Sequence, residues 1–176
     1  MGSLFTITEC LYSTDRNYLY LFLRFQPSVR ARYQVGGPTN EVRTLGNIAY
    51  LYFDLDGDSG TGASASKFDS QRAGSEMKVD VGAGSYAARS QTSTLTFGAS
   101  VGYHLSTWDS AAKQFRTTGT QESSRKDQPL INHGEEGVEL AIPLDLLASR
   151  KMNTFKVAVG EDMPGSHFPP FIVTIE

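Results

Sequence analysis

Apolar residues in this chain recur at every second position in short runs, and clusters of Gly, Ser, Asp and Asn separate the runs. That period of two belongs to strands with one buried face, and the separators are turn chemistry. Leu4 to Tyr12 alternates around Phe5 and Ile7, and the turn from Ser13 to Asn17 hands it to Tyr18 to Phe25, so the pair predicts a β-hairpin. Ile48 to Phe53 is a dense apolar run of strand length. Ser75 to Val81 places Met77, Val79 and Val81 on one face and Glu76, Lys78 and Asp80 on the other. Ser100 to Thr107 and Gln114 to Thr118 predict a second hairpin with Trp108 near its bend. Gly137 to Pro143, Phe155 to Val159 and Phe171 to Ile175 complete the set.

About eight strands and almost no helical period predict an all-β fold, a jelly-roll-like antiparallel β-sandwich with at most one or two short helices. The helix expected is the one after Pro143, where Leu144, Leu146 and Leu147 follow a helix-opening proline. Residues 1–176 form one domain at this length. Two stretches lack either period and read as loops: residues 27–47, with Gly36-Gly37-Pro38, and the polar stretch from Gln121 to Asn132.

Composition narrows the function classes. A hydrophobic content of 39% with ten Phe and eight Tyr is that of a packed domain, not of a disordered chain. The 19 acidic and 16 basic residues are dispersed, with no basic stripe for a phosphate backbone, so nucleic acid is excluded as an expected partner. No apolar run approaches the ~20 residues of a membrane helix, so no membrane insertion is expected. The single Cys10 lies in an alternating stretch and reads as a buried thiol. The opening Met-Gly-Ser-Leu has no signal-peptide pattern.

The densest chemistry follows the third strand. Asp54, Asp56 and Asp58 alternate with Leu55 and Gly57 and run into Gly60-Thr61-Gly62. Three carboxylates so close repel one another unless water or a cation shares them, and calcium accepts several hard oxygens at once. An EF-hand is rejected, because Ser59 and Ala65 stand where that loop needs its glycine and its bidentate glutamate. A further carboxylate has to come from elsewhere in the fold: Glu76 is the nearest donor, Asp80 the second. Magnesium fits its stricter octahedron less well, and zinc lacks His or Cys nearby. The alternative is a solvated turn of Asx hydrogen bonds.

Tyr18 to Leu23, then Tyr52-Phe53-Asp54-Leu55-Asp56 leading to Gly60-Thr61-Gly62, then Gly74-Ser75-Glu76-Met77, the Trp108 hairpin and Gly137 to Leu144 together resemble, in this order, the family 9 carbohydrate-binding modules and their DOMON-like relatives. The resemblance implies a β-sandwich with a structural calcium held by Asp54, Asp56 and Glu76, and a secreted or cell-surface parent protein of which this is one domain. It implies a glycan ligand held by aromatic rings, with Trp108 the tryptophan available for stacking. Haem-binding relatives use Met and His, but no local pattern pairs those residues here.

Catalysis is not expected. Glu135 with Glu139, or Glu161 with Asp162, are the nearest approach to a glycosidase pair, whose carboxylates must stand ~5–9.5 Å apart. No Gly-x-Ser-x-Gly elbow occurs, and the three His lie in polar stretches. The expected function is a non-catalytic, calcium-stabilised accessory or carbohydrate-binding module. The alternatives are a carbohydrate-active enzyme with a pocket that sequence does not assemble, and a structural or protein-binding domain.

Overall fold

The computed structural model describes residues 6–26, 46–65, 71–89, 95–120, 130–133, 137–147, 153–161 and 168–175. Ten strands occur among them: β1 Thr6–Thr14, β2 Tyr18–Gln26, β3 Gly46–Asp54, β4 Met77–Arg89, β5 Leu95–Asp109, β6 Gln114–Thr120, β7 Leu130–His133, β8 Gly137–Pro143, β9 Thr154–Glu161 and β10 Phe171–Thr174. One helical turn, α1 Leu144–Leu147, follows Pro143 as the sequence predicts.

Every pairing is antiparallel. One sheet has the order β1-β2-β8-β7 and the other β10-β9-β3-β4-β5-β6, so the chain crosses between sheets after β2, β6 and β8. The alternating positions decide the packing. Leu19, Leu21 and Leu23 of β2 and Val138, Leu140 and Ile142 of β8 point inward, against Leu51 and Phe53 of β3, Val79 and Val81 of β4 and Val157 and Val159 of β9. All belong to one apolar cluster, and each fully buried Leu or Phe contributes roughly 1.5–3 kcal/mol. The fold is the all-β sandwich that the period of two predicts.

Two loop expectations need correction. Of the loop at 27–47, residues 27–45 lie outside the described residues, but Gly46 and Asn47 already belong to β3, opposite Ala83 and Gly82, with a bulge before Ala49. Of the loop from Gln121 to Asn132, residues 121–129 lie outside the described residues, while Leu130 to His133 form β7 against β8. Four residues are too few to display a period, and it is the partner strand that makes them a strand.

Cys10 lies opposite Leu23 and packs half-buried against the core. Burial pushes its thiol up to about 11. At pH 8 only about one thiol in a thousand is then the reactive thiolate. Alkylation of Cys10 is expected to be slow in the native protein and to accelerate sharply in denaturant, as a mass-spectrometric time course reads directly; equal rates in both would contradict this burial.

Candidate metal centre and outer-face groove

The acidic loop begins where β3 ends. Asp54 is buried at 3% exposure, and the register of β3 with β9 sets it opposite Lys156, whose Nζ lies 3.1 Å from Asp54 Oδ2. Asp54 Oδ1 accepts the Gly57 N–H at 2.7 Å and so closes the first turn of the loop. Glu76 stands just before β4, buried at 7%. Its main chain is fixed on both sides, since its N–H donates to the Phe53 carbonyl and its carbonyl accepts from the Trp108 N–H. Its side chain turns back to the loop, and Oε2 accepts the Leu55 N–H at 2.8 Å.

The turn from Gln71 to Gly74 brings Glu76 to Asp54 and Asp56. Ala63 donates to the Ser75 carbonyl and accepts from the Gly74 N–H, so the loop and the turn form a closed pair. Gly62, at a φ of +62°, makes the approach feasible: a Cβ there would fall 2.6 Å from Glu76 Oε1 and from the carbonyls of Gly74 and Ser75.

Asp54, Asp56 and Glu76 each offer an oxygen, and these oxygens lie within 4.8 Å of one another. This triad could hold a metal ion. Asp58 is not in the triad: its Oδ1 accepts the Gly60 N–H at 2.8 Å, on the exposed side of the loop. The sequence spacing that put Asp58 with its neighbours did not register that the glycine after Asp56 turns the chain outward, at a φ of +70°. Asp80, the second-choice donor, lies along β4 and pairs with Lys78.

The donor set is hard oxygen throughout, and one detail bears on its charge. Thr61 Oγ1 lies within 3.1 Å of four acceptor oxygens: both of Asp56, the Asp58 carbonyl and Glu76 Oε1. A hydroxyl carries one proton, so most of these contacts are oxygen against oxygen. Among the described residues, Lys156 is the ammonium paired with these three carboxylates, through Asp54. These residues fit an oxygen-loving divalent ion.

Trp108 is half-buried. It meets the Phe115 ring edge-on at 5.2 Å, while the Arg72 guanidinium lies 6.0 Å from its centroid. Phe115 in turn meets Tyr52 at 6.0 Å. The bend beyond Trp108 is held by Asp109, which accepts from the Ala112 and Ala111 N–H groups and pairs with Arg116 at 2.7 Å. Trp108 therefore serves in the packing of the outer aromatic cluster beside the acidic loop. Of the carboxylates weighed for catalysis, Glu135 and Asp162 lie outside the described residues, Glu161 ends β9, and Glu139 faces outward on β8.

A second feature lies on the other sheet. The outer face of the four-stranded sheet carries a groove of about 500 Å³. Across the strands, Leu11, Phe22, Glu139 and Asn132 form one row, and Ser13, Tyr20, Ala141 and Leu130 the next. Leu11, Tyr20 and Leu130 are exposed at 52%, 39% and 57%, unusual for large apolar side chains beside one another. Tyr20 is fixed in place: its hydroxyl donates to Asp15 Oδ2 at 2.8 Å, and Asp15 Oδ1 accepts the Asn17 and Tyr18 N–H groups. The Asn17 hydrogen bond, then that from Tyr20, hold the Asp15 carboxyl below the usual carboxylate range, and Asp15 raises the Tyr20 hydroxyl in turn. The signal was present in the sequence as outward positions of β2 that are aromatic instead of polar.

Comparison with protein-family models, with curated proteins and with solved structures finds no match. Among the described residues no helix is long and apolar enough to cross a membrane.

Proposed function

We propose that this chain is a non-catalytic β-sandwich module, stabilised by calcium, that binds glycan rings on the outer face of its four-stranded sheet and belongs to a larger secreted or cell-surface protein. The observation that carries the reading is the groove. Its aromatic and aliphatic side chains give flat apolar contact for the C–H face of a sugar, and Ser13, Asn132 and Glu139 supply hydrogen-bonding groups along it. Among the described residues the lining contains one carboxylate, Glu139, where glycosidase chemistry uses two. The resemblance to family 9 carbohydrate-binding modules points to the same class.

Calcium is the preferred ion because the triad is all oxygen and lies in a loop whose carbonyls are close by. Its role is structural: it ties the end of β3 to the start of β4, in the sheet that does not carry the groove. Titration calorimetry against a panel of oligosaccharides tests the binding half. Tyr20→Ala is expected to weaken affinity roughly tenfold, as loss of a central aromatic anchor does, while Trp108→Phe leaves it unchanged. Sensitivity to Trp108 with indifference to Tyr20 would place the ligand elsewhere.

A further inference from the structure

The groove has a charge character that its apolar lining conceals. Glu139 faces it from the centre of β8, and among the described residues no Lys, Arg or His lines it. The nearest arginine in the register, Arg24, stands one row away opposite Gly137, with Nε 3.0 Å from Glu9 Oε2 and its guanidinium 5.8 Å from the Phe22 ring centroid. Among the described residues no cation lies in ion-pair reach of Glu139. A carboxylate near the exposed Tyr20 ring attracts positive charge twice over, through its own charge and through the negative face of the ring.

Resting on the glycan reading above, we infer that the groove prefers a basic glycan, one whose sugars carry free, protonated amines, over neutral glycans. The ring face lies on Tyr20, Phe22 forms the floor beside it, and an ammonium at the sugar's edge meets Glu139. Phe22 is placed for this: its Cζ and Cε2 lie 2.8 and 2.9 Å from where a Cβ of Gly137 would be, so its ring lies over β8, next to Glu139 in the same face. Only glycine at 137 admits that ring.

A cationic peptide would satisfy the same charge, but the geometry disfavours it. β2 and β8 are inner strands whose ladder groups are already paired, so a peptide lying on this face finds no backbone partners for its own N–H and C=O groups. A sugar keeps its polar groups at the ring edge and presents C–H faces to the rings.

The test is calorimetry of the full chain, calcium present and below the amine pKa, against four probes: a β-1,4-glucosamine oligomer, its N-acetylated counterpart, a β-1,4-glucose oligomer and a lysine-rich peptide. The glucosamine oligomer is expected to bind about five to ten times more tightly than the other two sugars, a range typical of one partly exposed charge-assisted contact. Glu139→Gln should bring the three sugars level, and added salt should do so in part. Equal affinities in the wild type, or a preference that survives Glu139→Gln, overturns the inference and leaves the glycan reading standing. Binding of the lysine-rich peptide as tight as that of the glucosamine oligomer overturns it in favour of a protein partner. Binding of none of the three sugars overturns both.

Discussion

Calcium at a hundredfold excess over its dissociation constant is expected to raise the melting temperature by roughly 5–10 °C, and Glu76→Gln to abolish the rise. The first number follows from linkage: a ligand that binds only the folded state at that excess contributes about 2.7 kcal/mol, and for a chain of this length each kcal/mol moves the midpoint by about 2–4 °C. The second follows from what Glu76 does. Its Oε2 accepts the buried Leu55 N–H, and an amide oxygen can take over that hydrogen bond, so the loop keeps its shape. What the substitution removes is charge.

The same substitution should therefore stabilise the metal-free protein. At the 4.8 Å outer separation of the triad, two carboxylates repel by roughly 3 kcal/mol at an effective dielectric of about 20, and Lys156 offsets only part of this through Asp54. Glu76→Gln should thus melt higher than the wild type in chelator and lower in calcium. That crossing of the two curves separates a metal site from a solvated turn, for which the substitution would move both melts alike. Trp108 provides an independent readout: its main-chain N–H donates to the Glu76 carbonyl, which places the one tryptophan of the chain beside the triad, so its emission should shift on addition of calcium. A melt indifferent to both calcium and chelator would remove the metal from the account.

Strand existence was legible because each inward face is built from uninterrupted alternation: Leu19, Leu21 and Leu23, or Met77, Val79 and Val81. Strand extent was less so. β4 and β5 run well beyond the apolar runs at Ser75 to Val81 and Ser100 to Thr107, through pairs such as Gly84 with Ser100, Ser85 with Ala99 and Tyr86 with Gly98, where the pairing, not the propensity, makes the strand. The triad was half legible. Asp54 and Asp56 follow from spacing, and Glu76 from its place at the head of the next apolar run. The exclusion of Asp58 depends on a left-handed glycine that the order of residues does not reveal. The groove was the hardest, since Leu11, Tyr20, Phe22, Glu139 and Leu130 come from four strands and meet only through register. A pattern read along one strand says which face a residue takes; it does not say what stands beside it on the next strand.

Gly62→Ala tests the joint between loop and strand most severely. At a φ of +62° any L side chain costs about 1–2 kcal/mol, and here the added methyl also arrives 2.6 Å from three oxygens. Two of them are the carbonyls of Gly74 and Ser75, which cannot retreat without breaking the Ala63 N–H to Ser75 and Gly74 N–H to Ala63 hydrogen bonds. The third is Glu76 Oε1, a member of the triad's carboxylates. Crowding of this kind costs typically 1–3 kcal/mol more, for roughly 3–4 kcal/mol together and a melting temperature about 10 °C lower. Gly57→Ala is the control: at a φ of +70° on the exposed side of the loop it carries the conformational cost and keeps the hydrogen bond to Asp54 Oδ1. Gly62→Ala should also lose most of the calcium response, because displacing Glu76 Oε1 opens the triad, whereas Gly57→Ala should retain it. Equal destabilisation by the two substitutions would mean that the 71–76 turn does not grip the loop closely, and that the carboxylates of Asp54, Asp56 and Glu76 are brought together by something other than this contact.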